Sequence, residues 1–255
     1  MPEIWRSKLL SQFGEIHHGS AGRGFGMRRF SAISKEEANA MNESFVHRQV
    51  SSDCQAICVE QIHSEDVINL GAEELQHLKK ERQTVCGVGD GLITNQSKAA
   101  LLIRTADCVP LILYAPKSRV IGAAHAGWKG TSKKIVQELI SLMKNEYNVD
   151  PSALFVAIGP AIGVCHYDVS QVKDNRAELF ENLFDTDANV LVRDAHKVAL
   201  DLKEANRQWC LQAGVPASHI EVSDVCTFEQ SVDWPSYRKD GEGLNELIST
   251  FVVLV

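Results

Sequence analysis

The chain has no long apolar run, no excess of positive charge and no repeated or low-complexity tract. No stretch approaches the roughly 18 consecutive apolar residues of a membrane-spanning helix, and residues 1–13 lack the basic-then-apolar order of a signal peptide. The net charge of −7 disfavours nucleic acids and anionic membranes as partners. We therefore expect a cytoplasmic protein, monomeric or homodimeric, whose partners are small molecules rather than a nucleic acid or a membrane.

Common metal and disulfide signatures are also missing. The sequence has no C-x-x-C and no H-E-x-x-H motif, and its seven cysteines are an odd number without close pairs. This usage predicts reduced thiols rather than a disulfide framework. A metal site would have to combine residues from separate segments.

What the chain does contain is enough apolar sequence for one large domain. It has 255 residues, of which 44% are hydrophobic and 23% charged, as in an ordinary globular protein. Strand-like and helix-like stretches mix without strict βαβ alternation. We predict an α+β fold of mixed β-sheets covered by helices, in a single domain over residues 1–255.

Periodicity and turn residues predict the individual elements. We expect strands over 99–114, 119–124 and 155–158. We expect helices over 72–83, from a cap at 130–132 to about 146, and over 196–213.

A thiol and an imidazole flank the turn at 115–118. If the strands on either side pair as a hairpin, Cys108 falls within about one residue of lying opposite His125, with Cβ atoms roughly 4.5–5.5 Å apart. The two side chains could then share one metal ion. The alternative is a buried structural thiol and a hydrogen-bonded core histidine.

His63 is the candidate for a third ligand, because it ends a short alternating apolar run in a distant segment. A His, Cys and His set with an open fourth position is the arrangement of a catalytic zinc site, whereas structural zinc sites close with four protein ligands. Asp90, between two glycines, could reach a ligand imidazole. Asp107 is expected on the opposite face of its strand from Cys108, in a structural role.

An anion site is predicted beside these residues. A helix that starts near Gly130 would present backbone N–H groups to phosphate, and Arg23, Lys129 and Arg238 are candidate cationic partners. His166, His196 and His219 have no evident partners and are interpreted as surface or capping residues.

Six motifs occur in a family-specific order: VEQIH at 59–63, GDGLIT at 89–94, RTADCVP at 104–110, AHAGWKG at 124–130, IGP at 158–160 and SYRKDG at 236–241. With them the chain resembles the YfiH-like, laccase-domain family. The resemblance implies a YfiH-like fold and one zinc ion bound by His63, Cys108 and His125. We predict that Cys108, His125 and Asp90 form the catalytic group. Cys165 and Cys226 lie in family-like surroundings and are expected to line the site.

Three departures from the family pattern stand out. Ser64 follows the first ligand histidine where the family usually has Gly. Gly243-Leu244-Asn245 stands where Thr-Gly-Arg is common, which predicts the loss of an anion-binding arginine. The HGSAGR segment at 18–23 resembles the family's His-Gly-x-x-x-Arg, but the Ser-Leu-Asn-Leu that usually follows is absent.

Several functions follow from these observations. By resemblance, the leading hypothesis is a zinc enzyme that phosphorolyses adenosine, inosine and methylthioadenosine and deaminates adenosine. A copper-dependent polyphenol oxidase is the family's historical alternative, and adventitious copper could bind in vitro. Cys108 and His125 could instead form a metal-independent cysteine hydrolase or amidase that acts on cell-wall precursors. A non-catalytic metal-binding domain is the fourth hypothesis.

Overall fold

The computed structural model describes residues 3–28, 32–194 and 197–255. Within these ranges the strands are β1 Ile4–Trp5, β2 Ile16–Ala21, β3 Gln55–Glu60, β4 Val67–Asn69, β5 Val85–Val88, β6 Gly91–Thr94, β7 Ala99–Thr105, β8 Val109–Ala115, β9 Val120–Ala126, β10 Phe155–Ile158, β11 Leu191–Arg193, β12 Val198–Leu200, β13 Ile220–Val222 and β14 Ile248–Leu254. The helices are α1 Lys35–Gln49, α2 Ala72–Lys80, α3 Trp128–Ser132, α4 Ile135–Tyr147, α5 Arg176–Leu183, α6 Leu202–Gln212 and α7 Tyr237–Asp240.

Two mixed six-stranded sheets form the centre of the molecule. The first has the strand order β1-β2-β14-β7-β3-β5 and the second β13-β10-β8-β9-β6-β4, while β11 and β12 form a separate pair. Both sheets combine parallel pairs, such as β3–β7 and β4–β6, with antiparallel ones such as β8–β9. The predicted α+β class with mixed sheets is confirmed.

The two sheets share one core. Leu101 and Val252 of the first sheet pack in the same buried cluster as Ile112 and Ile121 of the second. The central strands β7, β8, β9 and β14 are buried along their whole length, which explains their nearly continuous apolar sequences. Because the core mixes side chains from both sheets, we propose that residues 1–255 form one domain.

The apolar run at 99–114 is two strands rather than the single strand predicted. β7 ends at Thr105 in the first sheet and β8 begins at Val109 in the second. The chain crosses between the sheets at 106–108, where Asp107 adopts a left-handed conformation with φ of 81°. A hydrophobic run cannot reveal this crossing, because both strands are buried. Cys108 therefore lies at the point where the chain enters the second sheet.

The helices also differ from the predictions in their boundaries. Lys134, with φ of 64°, separates α3 from α4, so residues 130–132 lie within or at the end of the short α3 instead of capping a long helix. The predicted helix over 196–213 begins only at Leu202, because Asp201 caps it by accepting a hydrogen bond from Glu204 N and the preceding β12 is extended. His196 lies outside the described residues.

The strand at 155–158 is confirmed, and α2 ends three residues earlier than expected. In the described part of the chain, every helix is too short or too polar to cross a membrane.

Candidate metal centre and cavity

Three soft donors converge at the crossing between the sheets. One ligand atom each of His63, Cys108 and His125 lies within 4.8 Å of the other two. The register corrects the predicted pairing, because Pro110 and not Cys108 lies opposite His125. Cys108 is thus displaced by two residues along the hairpin and approaches His125 diagonally.

His63 reaches the cluster from a separate loop. It lies three residues beyond the end of β3 and adopts a left-handed backbone conformation with φ of 63°. For a residue other than glycine this conformation is unfavourable by roughly 1 kcal/mol or more. Its retention beside Cys108 is the type of local strain that concentrates at functional sites.

Asp90 orients His125 from behind. The fully buried carboxylate places Oδ1 2.6 Å from His125 Nδ1, and its Oδ2 accepts hydrogen bonds from the backbone N–H groups of Ile62 and Ser64. With Nδ1 protonated towards Asp90, His125 Nε2 is free to face Cys108. Carboxylates commonly orient metal-binding histidines in this way.

Ser64, one of the departures from the family pattern, contributes to this arrangement. Its Oγ donates a hydrogen bond of 2.9 Å to Asp90 Oδ2 and also accepts one from Asp66 N. The hydroxyl therefore gives the Asp90 carboxylate one more donor than glycine could supply. The substitution strengthens the support of the cluster rather than removing it.

Gly127 covers the cluster from the other side. A Cβ at this position would lie 2.9 Å from Cys108 Sγ and 3.1 Å from His63 Cδ2. Because Gly127 has φ of −70°, which any residue can adopt, the requirement for glycine is one of space. The backbone approaches the three donors as closely as its atoms allow.

The electrostatics of the cluster favour a thiolate. Burial tends to raise the pKa of Cys108, but the charge and hydrogen bonds of His125 and His63 lower it to about 6. Burial tends to lower the pKa of His125, but Cys108 and Asp90 raise it to about 9. Burial also opposes ionisation of Asp90, yet hydrogen bonds from His125 and Ser64 hold its pKa at about 2. Cys108 is thus held in the form that metals bind.

The donor set fits a divalent thiophilic metal ion. Tetrahedral zinc, with bonds of about 2.3 Å to sulfur and 2.0–2.1 Å to nitrogen, places its ligands roughly 3.3–3.6 Å apart. The spread of at most 4.8 Å among the three donor atoms is close to this geometry. Three protein ligands leave one coordination position for another molecule.

The three donor residues border a cavity of about 500 Å³. The three donors lie in its wall, and the remaining lining consists of Val59, Glu60, Gln61, Arg104, Thr105, Ala106, Tyr237 and Leu247. Cavities of this size hold small organic ligands. Sequence reasoning missed Glu60 and Tyr237 as cavity residues, although both belong to the family-like motifs.

A cationic region lies next to Cys108. Arg176 NH1 donates a 2.7 Å hydrogen bond to the hydroxyl of Tyr167, and the Arg238 guanidinium lies 5.0 Å from the centre of the same ring. Burial raises the pKa of Tyr167 to about 12, and the nearby Cys108 charge acts in the same direction. Arg176 also stacks over Trp128, 4.6 Å from the ring centre, directly after Gly127. No motif around Arg176 in the sequence predicts that this residue lies beside Tyr167 and Trp128.

Asp107 connects the cationic region around Tyr167 to the loop that carries Cys108. Its Oδ1 accepts a 2.6 Å hydrogen bond from Thr227 Oγ1, and its Oδ2 accepts one of 2.6 Å from Arg238 N. Asp107 therefore has the structural role expected, although the cause is the left-handed turn at the crossing and not strand alternation.

The other predicted anion-binding residues are placed differently. Arg23 donates to Ser231 O at 2.9 Å and forms an ion pair with Asp240. Lys129 is exposed and lies over the ring of Trp128. Gly130 is buried at the third position of α3, in the first turn of a helix that begins at Trp128. The helix therefore starts two residues before Gly130.

Cys165 and Cys226 lie together away from the cavity wall. They form a second group of possible metal ligands with His166 and Glu229, and neither cysteine is among the described residues that line the cavity. His166 and His219 have partners after all: Cys165 Sγ lies 3.1 Å from His166 Nδ1, and Leu154 O lies 3.1 Å from His219 Nδ1.

The fold and the cluster define an α+β protein with a candidate His, Cys and His metal centre open to a cavity. A family model described as multi-copper polyphenol oxidoreductase laccase matches residues 30–250. The chain belongs to that family, and the predicted resemblance to YfiH-like, laccase-domain proteins is confirmed.

Individual relatives agree with this assignment. The chain is 36% identical, over 186 residues, to the purine nucleoside phosphorylase YlmD of Geobacillus stearothermophilus. The aligned segment covers 72% of this chain and 67% of the relative. A crystal structure of YlmD from the same organism superposes with a TM-score of 0.82 at 29% identity, covering 95% of this chain and 93% of that one. The Bacillus licheniformis hypothetical protein YfiH has the same fold, with a TM-score of 0.85 at 24% identity over 100% of this chain and 97% of its own.

Proposed function

We propose that this chain is a zinc-dependent purine nucleoside phosphorylase that cleaves adenosine, inosine and methylthioadenosine and also deaminates adenosine. The convergence of His63, Cys108 and His125 on the wall of a cavity of about 500 Å³ carries the proposal. Relatives named purine nucleoside phosphorylase support it. Two imidazoles and a thiolate are a donor set that suits zinc.

A zinc ion in this position would act as a Lewis acid and would lower the pKa of water to about 7. The residues of the chain prepare the site for it. Asp90 holds a proton of His125 on Nδ1, so that Nε2 is the nitrogen that would lose its proton and bind the ion. The Cys108 pKa of about 6 supplies a thiolate at neutral pH. Gly127 leaves room for both.

Phosphorolysis requires a phosphate beside C1′ of the ribose. We assign the anion to the region of Tyr167, Arg176 and Arg238, with Lys129 at its edge. The Arg238 guanidinium and a Tyr167 hydroxyl that stays protonated offer donors to the oxygens of a phosphate dianion. Arg176 positions that hydroxyl, while its own guanidinium is paired with both carboxylate oxygens of Asp174. Such preorganised donors hold the nucleophile in place and neutralise its charge.

The nucleoside would occupy the cavity. Glu60 offers a carboxylate to ribose hydroxyls, and Tyr237 offers an aromatic ring against which a purine can stack. Gln61 is not available for this purpose, because its amide is bound to both the N–H and the carbonyl group of Arg104. Deamination would use the same cavity, with water attacking C6 of the purine.

A cysteine hydrolase is the second candidate, and the paired pKa shifts favour it. A Cys108 pKa of about 6 beside a His125 pKa of about 9 describes a thiolate and imidazolium pair, which is an activated nucleophile with its acid. Cys108 would then attack an amide of a cell-wall precursor without a metal. The amine would leave with a proton from His125, and water would hydrolyse the resulting thioester.

Copper-dependent polyphenol oxidation is supported by the description of the family alone. The two possible metal groups in the described part of the chain contain three histidines between them. Multicopper oxidases need several coppers and a large set of histidines. Since Cu²⁺ outcompetes Zn²⁺ at most sites with nitrogen and sulfur ligands, oxidase activity of copper-treated protein would not establish this function.

Chelation separates these proposals. Protein stripped of metal and reloaded with zinc should be assayed with adenosine and inosine, with and without phosphate. We expect phosphate-dependent cleavage that disappears on stripping and returns with zinc, and that is absent in Cys108→Ala. Activity that survives stripping but not Cys108→Ala would favour the cysteine hydrolase. Wild-type turnover that is independent of phosphate would contradict phosphorolysis.

A further inference from the structure

A second group of metal-binding side chains lies outside the site described above. Ligand atoms of Cys165, His166, Cys226 and Glu229 all lie within 4.8 Å of one another. Two thiols, an imidazole and a carboxylate are a full set of four ligands for a tetrahedral ion. None of the four residues lines the cavity beside His63, Cys108 and His125, as far as the described residues show.

The distances within this group are close to those of a coordination sphere. His166 Nδ1 lies 3.1 Å from Cys165 Sγ and 3.6 Å from Cys226 Sγ. Tetrahedral zinc with ordinary bond lengths places sulfur and nitrogen ligands roughly 3.6 Å apart. One distance therefore already matches, and the other requires a shift of about 0.5 Å.

The backbone makes room for the two sulfurs. A Cβ on Gly163 would lie 3.0 Å from Cys165 Sγ and 3.3 Å from Cys226 Sγ. Gly163 N also donates a 3.2 Å hydrogen bond to Cys226 Sγ, and Gly163 O accepts from His166 N at 3.0 Å, which closes the turn that presents the ligands. Hydrogen bonds of this type orient metal ligands and increase affinity.

The remaining contacts hold the ligands in place before any ion binds. His166 stacks on Phe228 with ring centres 4.6 Å apart, so its ring orientation is restricted. A β-bridge between Ala161 and Cys226 joins the two segments. Cys165 and Glu229 are exposed, which gives an ion a path of entry.

We propose that Cys165, His166, Cys226 and Glu229 form a second site, which binds zinc or a similar thiophilic divalent cation with four protein ligands. A site closed by four ligands is structural and not catalytic.

The position of the site indicates what the ion would stabilise. His166 precedes Tyr167 of the cationic region, and Cys226 precedes Thr227, whose hydroxyl binds Asp107 beside Cys108. An ion at the second site would therefore link the segment that carries Tyr167 to the segment that carries Thr227. This site does not depend on the proposed function, because its ligands are separate from the first cluster.

Co²⁺ binding tests the proposal without an activity assay. The protein is reduced, stripped of metal and titrated with Co²⁺, and thiolate-to-metal charge-transfer absorption reports binding. We expect two equivalents in the wild type, one in Cys108→Ala, one in Cys165→Ser and none in the double variant. Cys86→Ser, which removes a partly buried thiol outside both groups, should retain two.

Cys165 is exposed, so the Cys165→Ser variant should fold, and circular dichroism checks this. Glu229→Gln retains both thiols and should weaken binding of the second equivalent in the Cys108→Ala background. The proposal is overturned if reduced Cys108→Ala protein takes up no Co²⁺, or if Cys165→Ser leaves the wild-type stoichiometry unchanged. A Cys165–Cys226 disulfide whose reduction restores no metal uptake would overturn it as well.

Discussion

Replacing Asp90 by Asn tests how the chain presents His125 to a metal. Asp90 Oδ2 accepts three hydrogen bonds, from the backbone N–H groups of Ile62 and Ser64 and from Ser64 Oγ, while Oδ1 faces His125 Nδ1. An Asn side chain has one oxygen, which can face either the Ile62 and Ser64 donors or His125 Nδ1, but not both. The orientation that it adopts decides the tautomer of His125.

The backbone donors should decide that orientation. If the amide NH₂ faced Ile62 N and Ser64 N, both N–H groups would lose their acceptor, and the buried Ser64 N–H alone would cost about 1–3 kcal/mol. The oxygen therefore stays with them and the NH₂ faces His125. Nδ1 must then act as acceptor, and the ring proton moves to Nε2, the atom that should bind the metal. To bind metal, the ring must return to the other tautomer and lose this hydrogen bond.

We expect metal affinity in Asp90→Asn to fall about 10–100-fold, which corresponds to roughly 1.5–3 kcal/mol for a charged hydrogen bond. The loss of the charged contact should also lower Tm by roughly 3–12 °C. Competition with a chelating dye measures affinity, and nitrogen chemical shifts of the metal-free protein report the tautomer. The control is Asp150→Asn, which changes an exposed carboxylate that accepts a hydrogen bond from Ser152 N. An unchanged metal Kd together with an unchanged tautomer would refute the argument.

Two further predictions concern phosphate and pH. Arg238→Ala should raise the phosphate KM for inosine cleavage about 10–100-fold, because a charged hydrogen bond is lost, and it should change adenosine deamination less. Lys239→Ala is the neighbouring control. Equal losses in both reactions would assign Arg238 to another role. His18, whose burial lowers its pKa to about 4 from 6.5, is neutral in the folded protein and takes up a proton more readily when unfolded. Its contribution to stability is therefore present above pH 6.5 and is lost as the pH falls towards 4, by about 2 kcal/mol between pH 7.5 and 5. Denaturant titrations should show this loss reduced in His18→Gln and retained in His17→Gln.

Local patterns predicted much of the scaffold. The buried runs on either side of 115–118 pair as the expected hairpin, with Ala115 opposite Val120, because burial on both faces requires continuous apolar sequence. The helical periodicity after residue 134 and the strand at 155–158 are equally local properties. The break at 106–108 was not predictable in this way, since it depends on a left-handed Asp107 between two apolar segments.

The sequence by itself determined which side chains can bind a metal and the order in which the chain supplies them. His63, Cys108, His125 and Asp90 are all recognisable from their residue types and motifs. Only the tertiary structure decided their geometry, because each of these four residues belongs to a different segment and their contacts span up to 62 positions of the chain. The tertiary structure likewise leaves Cys165 and Cys226 outside the lining of the cavity. The type of a residue determines which chemistry it can perform, whereas its neighbours in space depend on how the two sheets pack.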